Sequence, residues 1–270
     1  DLTQAARIAF ALSGGRINTD AIDNSAGVDS SDHEVNIKIL LSAAIENGEL
    51  KASARNSLLK KMTEDVAQHV LAHNYDQTRA LSLMQVTAAQ DINAYARFMS
   101  ALEAQGRLDR VVEGLPDDKA IAARKTLSQG LTRPELSVLL AYAKMHIYET
   151  LLESKAPDDP SLGRELNSYF PEETHKFTKA IAGHRLKREI IATRLSNEIV
   201  DTCGATFVNQ LMEVSGASVP DIALSYEAAR RILELRSYGG GVDALDNKAP
   251  AELQTDLYNT AVDLLAEQVN

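Results

Sequence analysis

Tryptophan is absent, cysteine occurs once, and aromatic residues make up only 5% of the 270 residues. The lone Cys203 cannot close an internal disulfide, so a reducing compartment, the cytoplasm, is expected. Proline (7) and glycine (14) are also scarce. Sheets draw on aromatic and β-branched side chains, so the aromatic shortage, set beside many alanines and leucines, points to helices. No apolar run approaches the roughly 20 residues that a bilayer span needs. Basic residues are outnumbered, 28 Lys+Arg against 38 Asp+Glu, a formal net charge of −10. That balance argues against nucleic acid or an anionic membrane as the main partner. What is present is ordinary globular composition, 44% hydrophobic and 24% charged. At roughly 150 residues per domain the length allows about two compact units, with chain enough for a core that needs no metal or disulfide.

The chain opens on Asp1 with helical spacing already under way (Leu2, Ala5, Ala6, Ala9, Leu12), closed by Gly14-Gly15. No signal peptide accounts for this start, and a piece of a longer protein is expected. Ile17 and Ile22 fall in a segment, 16–23, that reads as a weak short strand. Ser31-Asp32-His33-Glu34 then fits a capping box, in which serine caps a new helix and the glutamate reaches back. Val35, Ile39, Ala43 and Ala44 form the expected inner face of that helix, widened by Ile37 and Leu40. Everything downstream reads as helix. A stretch over 53–73 ends at Asn74, and Thr132-Arg133-Pro134-Glu135 is a second capping box that opens a long apolar helix. The segment 155–160 is the clearest loop, and Gly239-Gly240-Gly241 reads as a hinge between the last two helices. The expected fold is therefore mainly α. It is an irregular multi-helix array (49–270) preceded by a short α/β remnant of a dinucleotide-binding domain (1–48).

Few residues present themselves for chemistry. His69 and His73 share a helix face as a metal pair would, but Val70-Leu71-Ala72 between them lacks the glutamate of a zinc protease, so no metal site is expected. The cluster His184-Arg185, Lys187-Arg188 and Arg194 fits a solvated face paired with Glu189 or Glu198 better than an interface. Cys203 has no base beside it and reads as a buried filler. The turn around Asn24 differs. Asp20, Asp23, Asn24, Ser25 and the run 29–34 concentrate polar side chains beyond what one helix cap needs, with Gly27 allowing close backbone approach to a ligand. Asp29 and Asp32 would repel a bound carboxylate there unless something offsets them.

The stretch from Gly14 to Asp29 (GGRINTDAIDNSAGVD), followed by Ser31-Asp32-His33-Glu34-Val35-Asn36-Ile37-Lys38, resembles the large bacterial NAD-specific glutamate dehydrogenases. So do Leu131-Thr132-Arg133-Pro134-Glu135-Leu136, Tyr169-Phe170-Pro171 and His184-Arg185-Leu186, so the likeness runs through most of the chain. The resemblance implies the carboxyl-terminal part of an enzyme that deaminates L-glutamate oxidatively to 2-oxoglutarate and ammonia with NAD, and that is homo-oligomeric. Dehydrogenases of this superfamily carry an Asn-Ala-Gly-Gly-Val segment with a serine three residues beyond. Asn24, Gly27, Val28 and Ser31 stand at the matching positions, while Ser25 and Ala26 depart from the pattern. The resemblance places Asn24 and Gly27 at the cofactor, and Val28 and Ser31 at the substrate. No glycine fingerprint and no lysine-rich substrate segment occur in the chain, so it is expected to be inactive alone. The alternative reading is a non-catalytic helical scaffold or protein-interaction module.

Overall fold

A computed structural model describes residues 2–269, and among them there is no strand. The chain is mainly α as expected, but the α/β remnant is not there. The segment expected as a strand is instead irregular up to Thr19 and then forms one helical turn, Asp20–Asp23. Within it Asn18 accepts from arginines rather than joining a ladder. Arg7 donates to the Asn18 carbonyl (2.9 Å), and Arg133 donates to the Asn18 side chain (2.8 Å).

The residues divide into two compact units. The first holds the described residues of Asp1–Thr19, Arg79–Ile147 and Ser196–Asn270. Here the helix Arg133–Glu153 is anchored at its start by the glutamate arm of the expected capping box. The Thr132 N–H (2.7 Å) and hydroxyl (2.8 Å) both donate to Glu135, whose carboxylate also receives two 2.7 Å bonds from Arg124. Glu135 is 1% exposed, so this fork satisfies a carboxylate taken out of water. Nearby, Gly130 sits where a Cβ would come within 2.6 Å of the Ala88 backbone, a closeness only glycine allows.

Gly239-Gly240-Gly241 forms no hinge, and lies inside the helix Leu235–Asp243. Glycine is a poor helix former, but this run is pinned from the helix Ala251–Val269. Tyr258 donates its hydroxyl to the Gly239 carbonyl (3.0 Å) and bonds Asp243, and the Tyr238 hydroxyl returns to the Leu257 carbonyl (3.0 Å).

The second unit, Asp20–Thr78 with Tyr148–Leu195, is built around the helix Ser25–Glu46. Its buried face is His33, Asn36, Ile37, Leu40, Leu41 and Ala44. The expected face is thus rotated: Val35 is exposed, and two polar residues occupy inner positions instead. The helix Thr178–Ala182 packs on this one and is capped by Glu49, which accepts from the Lys179 and Ala180 N–H groups (3.1 and 3.0 Å). The expected loop at 155–160 is largely two 3-10 turns, Ala156–Asp158 and Pro160–Leu162.

Glu135→Gln is expected to lower the unfolding free energy by roughly 2–4 kcal/mol, because Arg124 then faces a neutral amide in a largely buried setting. Urea unfolding measures this, and a loss below about 1 kcal/mol would contradict the role given to the fork.

Candidate functional site

The site region is assembled from the bend at 20–24. The Asn24 N–H donates to the Asp20 carbonyl (2.9 Å), closing the Asp20–Asp23 turn. Asn24 then takes the N-cap position (φ −120°, ψ 25°), yet its side chain makes no capping bond. The helix runs on from Ser25 without a break to Glu46. Ser31 is therefore inside the helix and is not its cap, and Glu34 pairs with Lys38 one turn ahead rather than reaching back. The capping box expected at 31–34 does not form, because the helix has already begun two turns earlier.

That earlier start aligns the expected site residues. Asn24, Gly27, Val28 and Ser31 recur at three- and four-residue spacing and are all exposed, Val28 to 77%. The buried residues of the same helix, Asp29 in part and His33 and Asn36 fully, fall on other sides of it. A Cβ on Gly27 would meet only the Asn24 side-chain oxygen at 3.7 Å, an ordinary contact. The fold itself does not require glycine there.

The inner side is held by polar bonds from distant parts of the sequence. The Asp29 carboxylate accepts from His73 Nδ1 (2.8 Å) and lies 3.2 Å from His33 Nδ1, which also donates to the Asp29 carbonyl (3.0 Å). The His33 ring is stacked on Tyr169, with centroids 4.5 Å apart and planes at 16°. Asn36 donates to the Tyr169 hydroxyl (2.8 Å), which in turn donates to Asp32 (2.8 Å). One helix turn back, Asn74 donates to the Ile22 carbonyl (2.9 Å) and to the Ser25 hydroxyl (2.8 Å).

These contacts set the charges. Burial alone would raise the Asp29 carboxyl, but its bonds to His33 and His73 and their positive charge outweigh that and hold it well below the usual carboxylate range. Burial opposes a charge on His33, but Asp29, with Asp32 further off, prevails and raises its pKa. His69 moves the other way: burial lowers it, Asp65 partly compensates, and His33, His73 and Arg194 add to the lowering. Burial, followed by the Asp32 hydrogen bond, pushes the Tyr169 hydroxyl up. Asp29 is thus engaged inward, which lessens the repulsion that its charge would exert on a carboxylate ligand, while Asp32 accepts from Tyr169 and stays exposed.

Sequence reasoning placed His33 in the polar run but missed Asn74 and Tyr169 as parts of this arrangement. Asn74 reads as a helix terminator, but the helix Thr63–Thr87 continues past it. Its partners lie 49 and 52 residues away, a separation no local pattern reveals.

The remaining candidates resolve plainly. His73 is committed to Asp29 and His69 lies 3.8 Å from Asp65. Among the described residues, no group of three His, Cys, Asp or Glu side chains is arranged to hold a metal ion. Two arginines of the basic cluster are paired within the protein, with partners other than those expected, while Arg185 and Lys187 are exposed. Arg188 bonds Asp158 and the carbonyls of Leu152 (2.9 Å) and Ser154 (2.8 Å), and Arg194 pairs with Glu165 (3.4 Å). Burial raises the Cys203 thiol well above its ordinary range, which leaves it a poor nucleophile. Cys203 lines a cleft of about 670 Å³ in the first unit, but no side chain there has a buried polar atom lacking a partner. No helix of the described residues is long and apolar enough to cross a membrane.

Residues 1–84 match the family described as bacterial NAD-glutamate dehydrogenase, catalytic domain, and residues 128–270 match glutamate dehydrogenase, C-terminal. The chain is 47% identical, over 95% of its length, to the NAD-specific glutamate dehydrogenase of Pseudomonas aeruginosa. It is 44% identical over 98% to that of Halomonas elongata, and 43% over 86% to that of Mycobacterium tuberculosis. The chain belongs to the bacterial NAD-specific glutamate dehydrogenase family. It spans 14% to 16% of the length of these relatives.

The Asp29 clamp carries a pH dependence with a defined sign. Asp29, lowered from 3.8, contributes stability present above that value and lost as pH falls through its folded pKa. His33, raised from 6.5, contributes stability fully present below 6.5 and lost as pH rises through its folded pKa. His69 and His184, both lowered mainly by burial, act in the opposite sense, so the comparison must be differential. The melting-temperature gap between the natural chain and Asp29→Asn is expected to be larger at about pH 5.5 than at about pH 8.5. A gap independent of pH would contradict the clamp.

Proposed function

We propose that this chain is the carboxyl-terminal part of an NAD-dependent glutamate dehydrogenase, and that the exposed stripe on the helix Ser25–Glu46 is one wall of its cofactor and substrate cleft. In this reading residues 1–48 close the dinucleotide-binding domain and residues 49–270 form the helical domain. One observation carries it: Asn24, Gly27, Val28 and Ser31 lie on a single exposed side of two helical turns, while Ser25 and Asp29 between them are engaged by Asn74 and His73.

The stripe is chemically suited to NAD and to a dicarboxylic amino acid. Asn24 makes no capping bond, so its carboxamide is available to the nicotinamide amide. The open Cβ position of Gly27 allows the cofactor to approach the backbone. NAD, when bound, accepts the hydride released from the α-carbon of L-glutamate in the oxidative deamination to 2-oxoglutarate and ammonia. Val28 offers an exposed apolar side chain to the methylene groups of the substrate, and the Ser31 hydroxyl donates to its distal carboxylate. Asp29 and Asp32 lie on either side of Ser31 in sequence; the charge of Asp29 is turned inward to His33 and His73, while Asp32 accepts from Tyr169 and remains exposed. The inward pairing of Asp29 lessens the repulsion of a dicarboxylate from this face.

The chain supplies no cations to hold the glutamate carboxylates at this stripe and no glycine loop for the cofactor phosphates, so the isolated 270 residues are expected to show no glutamate turnover. The whole enzyme is read as cytoplasmic and homo-oligomeric. In the complete polypeptide, Asn24→Ala is expected to raise the KM for NAD about tenfold, and Ser31→Ala the KM for glutamate about tenfold, the worth of one hydrogen bond to a polar or charged ligand group. Unchanged kinetics in both variants would remove the assignment.

A further inference from the structure

We infer that Asn74 is a positioning residue for the cofactor side of this wall. The inference rests on the reading of the stripe given above and extends it to a residue outside the stripe.

The bend that carries Asn24 lacks the usual means of fixing a helix start. Its cap residue does not cap, and the turn before it is a single one, Asp20–Asp23. The restraint comes instead from the middle of the helix Thr63–Thr87. A single nitrogen, Asn74 Nδ2, directs its two hydrogens to the Ile22 carbonyl (2.9 Å) and the Ser25 hydroxyl (2.8 Å). These two acceptors bracket Asn24 from two residues before it to one residue after it. Ile22 is buried, so the carbonyl end of the bend is fixed by packing as well.

Asparagine is a poor choice for the interior of a helix, where its amide competes with the backbone and its propensity is low. Its place here is explained by the two bonds. The next residue back, His73, bonds Asp29 one turn further along the helix Ser25–Glu46. Two consecutive residues thus hold positions 22, 25 and 29. Asn74 governs the end nearest Asn24, and His73 governs the part nearest Ser31. Neither lies on the exposed stripe, so each acts on ligands only through the residues it places. Misplacement by about an ångström is enough to weaken a site built on directed hydrogen bonds.

The test is a double-mutant cycle in the complete enzyme, with NAD and glutamate each varied against saturating partner. Asn74→Ala is expected to raise the KM for NAD about fivefold and the KM for glutamate less than about twofold, because His73 still holds Asp29. In an Asn24→Ala background, Asn74→Ala is expected to add nothing further, since the group it places is gone. If Asn24→Ala alone leaves the kinetics unchanged, the reading of the stripe fails, and this inference with it. If Asn24→Ala impairs NAD use while Asn74→Ala does not, or the two effects multiply, the stripe stands and the positioning role is overturned. Equal rises in both KM values with a lowered melting temperature would also overturn it, as the mark of a merely structural residue. Should Asn74→Ala not fold, Asn74→Asp keeps the volume, sets an acceptor against the Ile22 carbonyl and runs the same cycle.

Discussion

A single carboxylate, that of Asp29, determines which side of the Ser25–Glu46 helix faces the protein. It sits between two imidazoles, one on its own helix and one on Thr63–Thr87, and both are bonded to it. With Asp29 and His33 turned inward, helical geometry leaves Asn24, Val28 and Ser31 facing out. The Tyr169 hydroxyl donates to the exposed Asp32, and the buried Asn36 donates to Tyr169. The exposed stripe is thus the complement of a polar inner face whose bonds are made to residues far off in the sequence. The histidine bonds to Asp29 also offset one of the two carboxylates that flank the outer face.

Local signals were legible where they decided the outcome. The capping motif at 132–135 is realised through its glutamate arm, because Thr132 and Glu135 are three residues apart and need nothing distant to meet. The scarcity of aromatic residues correctly foretold a mainly helical chain, though not the absence of a strand at 16–23, and the resemblance of residues 14–38 led to the family. The same kind of local signal failed at 31–34. Ser31 and Glu34 have the right spacing for a cap, but a turn held by Asn74 starts the helix earlier and makes that spacing irrelevant. Val35 was expected inside by its apolarity, yet it is exposed because His33 and Asn36 take the inner positions, where His33 Nδ1 bonds Asp29 and Asn36 donates to Tyr169. The glycine run at 239–241 reads as a hinge by propensity, and two tyrosines override that propensity. In each case the deciding partner is remote in sequence.

Charge patterning followed the same division. That the basic residues near 184–194 would be paired within the protein was readable from an acidic chain, but their partners were not. Arg188 reaches Asp158 and two carbonyls, and Arg194 reaches Glu165, rather than the glutamates on their own helix. An arginine satisfies planar acceptors wherever its fork fits, and that fit is a property of the fold.

The central claim is that the first two turns of the Ser25–Glu46 helix form a wall of the ligand cleft. Amide hydrogen exchange in the complete enzyme tests it most directly, since the leading N–H groups of a helix have no partner within it and exchange readily until something covers them. Saturation with NAD and 2-oxoglutarate is expected to slow exchange across 24–31 and to leave the far end of the same helix unchanged. Exchange at 24–31 that is indifferent to both ligands would contradict the account.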